Sequence, residues 1–232
     1  MRDDDRRAPV ARRSFLFSVS TAAAAVGLGS TATDAHAQTA STAAPPAPAV
    51  SNAPWTPARH SQDDWFDQIQ GKHRFFFDAT TVNGVQDSTM FASNYYGANK
   101  SAYGLGDADL AVIVGVRHHA TPFAFTDAMW AKYGEAWGER LDFNDPKTKK
   151  RPVVNVYTTE LTGLIKHGVH FSVCDMATHA YASMAARRIS GDFEEIYKEL
   201  RANSIENCHF VAAGIVGVNR AQERGYSIAY VG

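Results

Sequence analysis

The sequence predicts an α/β protein: three layers, with a mostly parallel five-stranded sheet and helices on both faces. Three observations predict it. Short apolar runs alternate with segments of helical period four times along the chain. The clearest run, Leu110 to Val116, is apolar on both faces, as a central parallel strand must be. Turn and capping residues separate the runs, and such alternation builds βαβ units around one sheet.

The chain opens with a different kind of segment. Arg12-Arg13 precedes Ser14-Phe15-Leu16-Phe17 and a weakly apolar run from Ser18 to Gly29. That run is broken by Ser, Thr and Gly, and a bilayer span needs roughly 20 apolar residues. Ala35-His36-Ala37 supplies a small-x-small cleavage pattern. Residues 1–37 therefore read as a twin-arginine export signal, which places the mature protein in the periplasm. Passengers of this class cross the membrane folded, so folding occurs in a reducing compartment where disulfides rarely persist. The two cysteines, Cys174 and Cys208, suggest no disulfide framework.

Residues 38–60 are rich in Ala, Pro, Ser and Thr and predict a flexible linker. Residues 61–232 have the length of a single domain. The formal net charge is -1. The basic block Lys147 to Arg151 reads as a solvated loop, so no nucleic-acid partner is expected. No stretch is apolar enough for stable membrane insertion.

The elements follow in order. Asp63-Asp64 reads as a solvated face or helix cap before the first strand, Arg74 to Asp78. Asp87-Ser88 predicts the cap of a helix through Met90, Phe91, Tyr95 and Tyr96. After Leu110 to Val116, Thr126-Asp127 precedes a helix whose Trp130, Tyr133 and Trp137 share one face. Asn144 to Pro152 is a loop, and Thr158 or Thr159 starts a short helix that Gly168 ends. Val169 to Cys174 is a strand, and Thr178 to Arg188 and Asp192 to Ala202 are helices. Cys208 to Ala213, Gly214 to Gly225 and Tyr226 to Val231 read as strand, helix and strand.

In such sheets ligands bind beyond the carboxyl ends of the strands. Asp78 and Thr80 lie at the first such end, and Arg117, His118 and His119 at the second. Cys174 and Asp175 end the third, and the Gly214 to Gly217 turn ends the fourth. Cys174 precedes a helix expected to begin near Ala177, and the positive helix end favours a thiolate. It reads either as that nucleophile or as a small buried hydrophobe. Arg117 suits an anion such as sulfite, thiosulfate or a carboxylate. On extended backbone His118 and His119 point opposite ways, so only one faces a given site. The other reading of this loop packs a His on Trp130 or Tyr133, or pairs it with Asp127.

Cys174, His118, His119 and His179 are acceptable zinc or copper ligands, but no tight motif joins them, so neither metal nor cofactor is expected. Cys208 starts its strand and reads as structural, at the opposite end of the sheet from Cys174. Gly214-Ile215-Val216-Gly217 lacks the phosphate-binding glycine spacing, and no Gly-x-Ser-x-Gly occurs.

Three segments together resemble the DsrE/DsrF-like family. Leu164 to Cys174 is similar to its helix, Gly-Val, strand and Cys segment. Val211 to Val218 followed by Gln222-Glu223-Arg224-Gly225-Tyr226 resembles its C-terminal stretch, and Val112 to His119 its second strand with a His-bearing loop. The resemblance covers Arg74 to Gly232 and implies a homotrimer or hexamer. It also implies that Cys174 carries sulfur as a persulfide between a donor and an acceptor protein. Strand-end placement puts Asp78, Arg117, His118 and His119 around the substrate. Some relatives have a second cysteine two or three residues later, where this sequence has Met176 and Ala177. The alternative is a non-enzymatic oligomeric binding or assembly protein that holds a small anion or metal at the strand ends.

Overall fold

The computed structural model describes residues 54–232, so the predicted signal and most of the predicted linker lie outside the described residues. The sheet holds β1 (His73–Ala79), β2 (Leu110–Val116), β3 (His170–Cys174), β4 (Cys208–Val211) and β5 (Ser227–Val231). Its order is β4-β3-β2-β1-β5, and every pairing is parallel. The expectation of a three-layer α/β sheet is met, with no antiparallel strand in it.

Chain direction explains the layers. From β1 to β4 each crossover steps the same way, and right-handed crossovers then put their helices on one face. These are α2 (Val82–Tyr103), α3 (Asp127–Leu141), α4 (Thr158–Lys166), α5 (Asp175–Ile189) and α6 (Phe193–Ala202). The step from β4 to β5 returns across the sheet, so α7 (Gly214–Gln222) covers the other face. One-turn α1 (Trp65–Gln68) joins it there.

Alternate residues of β2 feed the two cores, which is why the strand is apolar throughout. Val112, Val114 and Val116 meet Trp130, Leu161, Tyr181 and Leu200. Ala111 and Ile113 meet Phe66, Val218 and Tyr226. Trp130, Tyr133 and Trp137 are buried, as their spacing predicts.

Three local expectations are corrected. α2 begins at Val82, not at Asp87-Ser88, because Thr81 Oγ1 accepts from the Gly84 amide at 2.9 Å. Gly84 also lets the helix approach β5, since a Cβ there would lie 2.4 Å from the Val231 carbonyl oxygen. α5 begins at Asp175, directly after β3 and earlier than expected. Asp63 is buried, not solvated, and lies 3.5 Å from Arg220 Nε.

Candidate functional site

The carboxyl ends of β1, β2 and β3 lie side by side, and each supplies one polar group. Asp78 is the penultimate residue of β1, and Arg117 directly follows β2. Arg117 donates from Nε to Asp78 Oδ1 at 2.7 Å and from Nη2 to Oδ2 at 2.9 Å. This is the bidentate fork that suits guanidinium and carboxylate. The Asp78 side chain is 5% exposed and that of Arg117 24%. The hydrogen bond to Asp78 holds the guanidinium above its ordinary range against the pull of burial. Smaller electrostatic contributions come from Asp78 itself, Tyr230 and Cys174. Val116 pairs with Val173, so Arg117 and Cys174 take the next positions at adjacent strand ends.

Gly214 makes room for this arginine. A Cβ at this first residue of α7 would lie 2.4 Å from Arg117 Cβ and 2.7 Å from its Cδ. The arginine stem thus crosses the start of α7, where backbone amides lack helical partners.

Cys174 closes the third strand and is itself the N-cap of α5. Its Sγ accepts from the Ala177 amide at 3.4 Å, and the Thr178 hydroxyl donates to its carbonyl at 3.0 Å. The sulfur therefore sits where the helix presents unpaired N–H groups and positive potential. Cys174 is buried, 7% exposed.

The two histidines are arranged differently from the extended pair expected. His118 takes a left-handed backbone, φ +55°, and opens a 3-10 turn spanning His118–Ala124. The His119 amide then bonds to the Thr80 carbonyl at 3.0 Å. Both rings swing to one side and stack, with centroids 3.9 Å apart and planes 15° from parallel. His118 is exposed, while His119 Nε2 is buried without a hydrogen-bond partner among the described residues. Burial lowers the His119 pKa, with the charges of His118 and Arg140 adding. Asp127 is not a partner: its Oδ1 accepts from the Asn155 amide and the Thr158 hydroxyl. Trp130 Nε1 donates to the Pro122 carbonyl.

The structure thus joins Asp78 to Arg117 directly, sets Cys174 near them and stacks His118 on His119 just beyond β2. His179 goes elsewhere, stacked on Tyr197 at 3.9 Å. Among the described residues no group of three His, Cys, Asp or Glu side chains is placed to hold a metal ion. Cys208 lies at the other end of the sheet, and burial pushes its thiol up to about 12. Both cysteines are free.

For two of the named strand-end residues, Thr80 and Asp175, the sequence did not show the partners. Thr80 Oγ1 lies 3.0 Å from the Tyr230 hydroxyl and donates to the Gly232 carbonyl at 2.5 Å, tying β5 to the end of β1. Asp175 is held by Tyr197 and Arg201 of α6. The i, i+4 spacing of Tyr197 and Arg201 is a signal that they act on one face.

No family model and no curated protein matches the chain. A solved structure of a protein of unknown function from Methanobacterium thermoautotrophicum, MTH1491, is similar at 14% identity and a TM-score of 0.37. The match covers 68% of this chain and 98% of that one. What defines the class of this protein is its own geometry: a parallel α/β sheet with a thiol and a guanidinium at adjacent strand ends.

Proposed function

We propose that this is an exported DsrE-like protein, assembled from copies of itself, in which Cys174 carries sulfur as a persulfide. The observation that carries the reading is the Cys174 sulfur capping α5, with the Ala177 amide aimed at it and Arg117 at the adjacent strand end. In this reading the thiolate attacks a sulfane sulfur. A new S–S bond forms on Cys174, and the donor's bond to that sulfur breaks. The leaving group departs with the electron pair, and an acceptor thiolate later attacks the same sulfur, returning Cys174 as thiolate. Arg117 Nη1 has no hydrogen-bond partner among the described residues and suits an anionic leaving group. His118 and His119 rim the same strand ends.

A second reading is a non-enzymatic binding subunit in which Arg117 holds a small anion and Cys174 only packs. The low exposure of Cys174 favours it. Intact-mass analysis after incubation with a sulfane-sulfur donor separates the two. The sulfur-carrier reading expects one added sulfur atom, mapped to Cys174, lost in Cys174→Ser and removed by a dithiol. An unchanged mass under those conditions, with anion binding intact in Cys174→Ser, leaves the binding subunit.

A further inference from the structure

The residue after Cys174 is an acid, and that poses an electrostatic problem. Asp175 is the first residue of α5, so its carboxylate and the Cys174 sulfur share one helix N-terminus. A carboxylate there competes for the same positive helix end and repels a thiolate. The fold answers from α6. Arg201 Nη1 donates to Asp175 Oδ1 at 2.7 Å, and the Tyr197 hydroxyl lies 2.9 and 3.0 Å from the two carboxylate oxygens. Arg201 is itself fixed, 4.3 Å over the Phe210 ring and 3.1 Å from the Tyr197 hydroxyl. His179 adds a ring stacked on Tyr197, with Nε2 4.0 Å from Asp175 Oδ2.

Stability alone does not account for this arrangement. The side chains of Arg201 and Asp175 are 40% and 23% exposed, and ion pairs at such exposure contribute little to folding. What sets the pair apart is its place, one residue from the thiol. We infer that Arg201, braced by Tyr197, is a positioning residue for Cys174: it draws the Asp175 carboxylate onto α6 and supplies the compensating positive charge. The inference rests on the proposed nucleophilic role of Cys174. The charged and titratable groups gathered on Asp175 at the start of α5 are His179 from α5, and Tyr197 and Arg201 from α6. At the neighbouring strand ends stand Arg117 and Asp78, after β2 and on β1, and Tyr230 on β5.

The test is the rate of Cys174 alkylation by iodoacetamide against pH, read by peptide mass in the full domain. Arg201→Gln is expected to slow the reaction roughly threefold to tenfold near neutral pH, the effect of one lost charge several ångströms away. Its profile moves to higher pH while the plateau rate holds, which a loosened fold would not produce. Arg201→Lys keeps most of the rate. Asp175→Asn alone speeds the reaction, and the Asp175→Asn/Arg201→Gln double variant returns close to wild type. An Arg201→Gln profile that superimposes on wild type, or a double variant that stays slow, overturns the inference. Wild-type Cys174 that resists alkylation at every pH overturns both this inference and the sulfur-carrier reading. A Cys174 that alkylates with the Arg201 dependence but never gains sulfur removes sulfur carriage alone.

Discussion

Arg117 is the residue on which the strand ends depend. Its fork closes on Asp78, whose side chain has almost no contact with solvent. Removing one partner of a buried pair strands the other's charge, at a cost of about 3 kcal/mol or more. Arg117→Ala is therefore expected to lower the unfolding free energy by about that amount in denaturant melts. Arg117→Lys is expected to recover only part of the loss, since an ammonium cannot make both bonds. Loss of less than about 0.5 kcal/mol in Arg117→Ala would mean that water reaches Asp78. Both residues were legible in the sequence as strand-end groups, because each follows an apolar run. Their bond was not, since it depends on β1 and β2 being neighbours in a register that pairs Asp78 with Gly115. The stacked His118 and His119 were misread for a related reason. A left-handed φ at a histidine, with no glycine or asparagine to signal it, turns an extended pair into a tight turn.

Among elements, α1 shows how a segment too short to be helical alone is held by packing. Four residues are below any helical nucleus, and no period is visible in so short a run. Phe66 is fully buried, and its carbonyl accepts from the Tyr226 hydroxyl at 2.8 Å. Trp65 stacks on His209 at 4.0 Å, with planes 1° apart. His209 Nε2 in turn lies 2.8 Å from His170 Nδ1. Burial lowers the pKa of both imidazoles, and His170 adds to the effect on His209, bringing it to about 4. A histidine in the unfolded chain titrates near 6.5. As pH falls below that value the unfolded chain binds protons first, and the native pair resists until near 4. Stability is thus fully present above the unfolded value and is lost as pH falls through this window. Thermal melts are expected to show a falling midpoint from pH 7 to pH 4, with a shallower slope in His209→Gln. Equal slopes in the two proteins would show that the pair is already charged in the native state. The long elements, by contrast, were legible because their periods are. The exceptions are two starts: that of α5, which follows β3 with no loop, and that of α2, where the Thr81 cap lies close behind β1 and Asp87-Ser88 imitates a cap from inside the helix.

At the scale of the whole molecule, strand count and direction were readable because βαβ units impose them, but strand order was not. A fourth crossover that continued outward would show the same apolar runs; only the structure places β5 beside β1 and so sends α7 to the other face. The same parallel sheet separates the two thiols. Cys174 pairs with Val211, three residues beyond Cys208 on β4. At about 3.3 Å per residue the two lie about 10 Å apart, beyond the reach of a disulfide. That spacing bears on export. On the proposed export, a chain that folds before it crosses the membrane would seal this geometry while both thiols are reduced, so an oxidising compartment would find no pair to join. On the same proposal the mature protein is expected to begin at Gln38 and to give two titratable thiols per chain once unfolded without reductant. The count is to be taken before any persulfide is loaded. Arg12→Lys/Arg13→Lys is expected to retain the folded precursor in the cytoplasm, detected by cell fractionation. Export that survives this double change would point to a different route. A loss of both thiols, restored by reductant, would show that the chain crosses unfolded and pairs its cysteines before the sheet can part them.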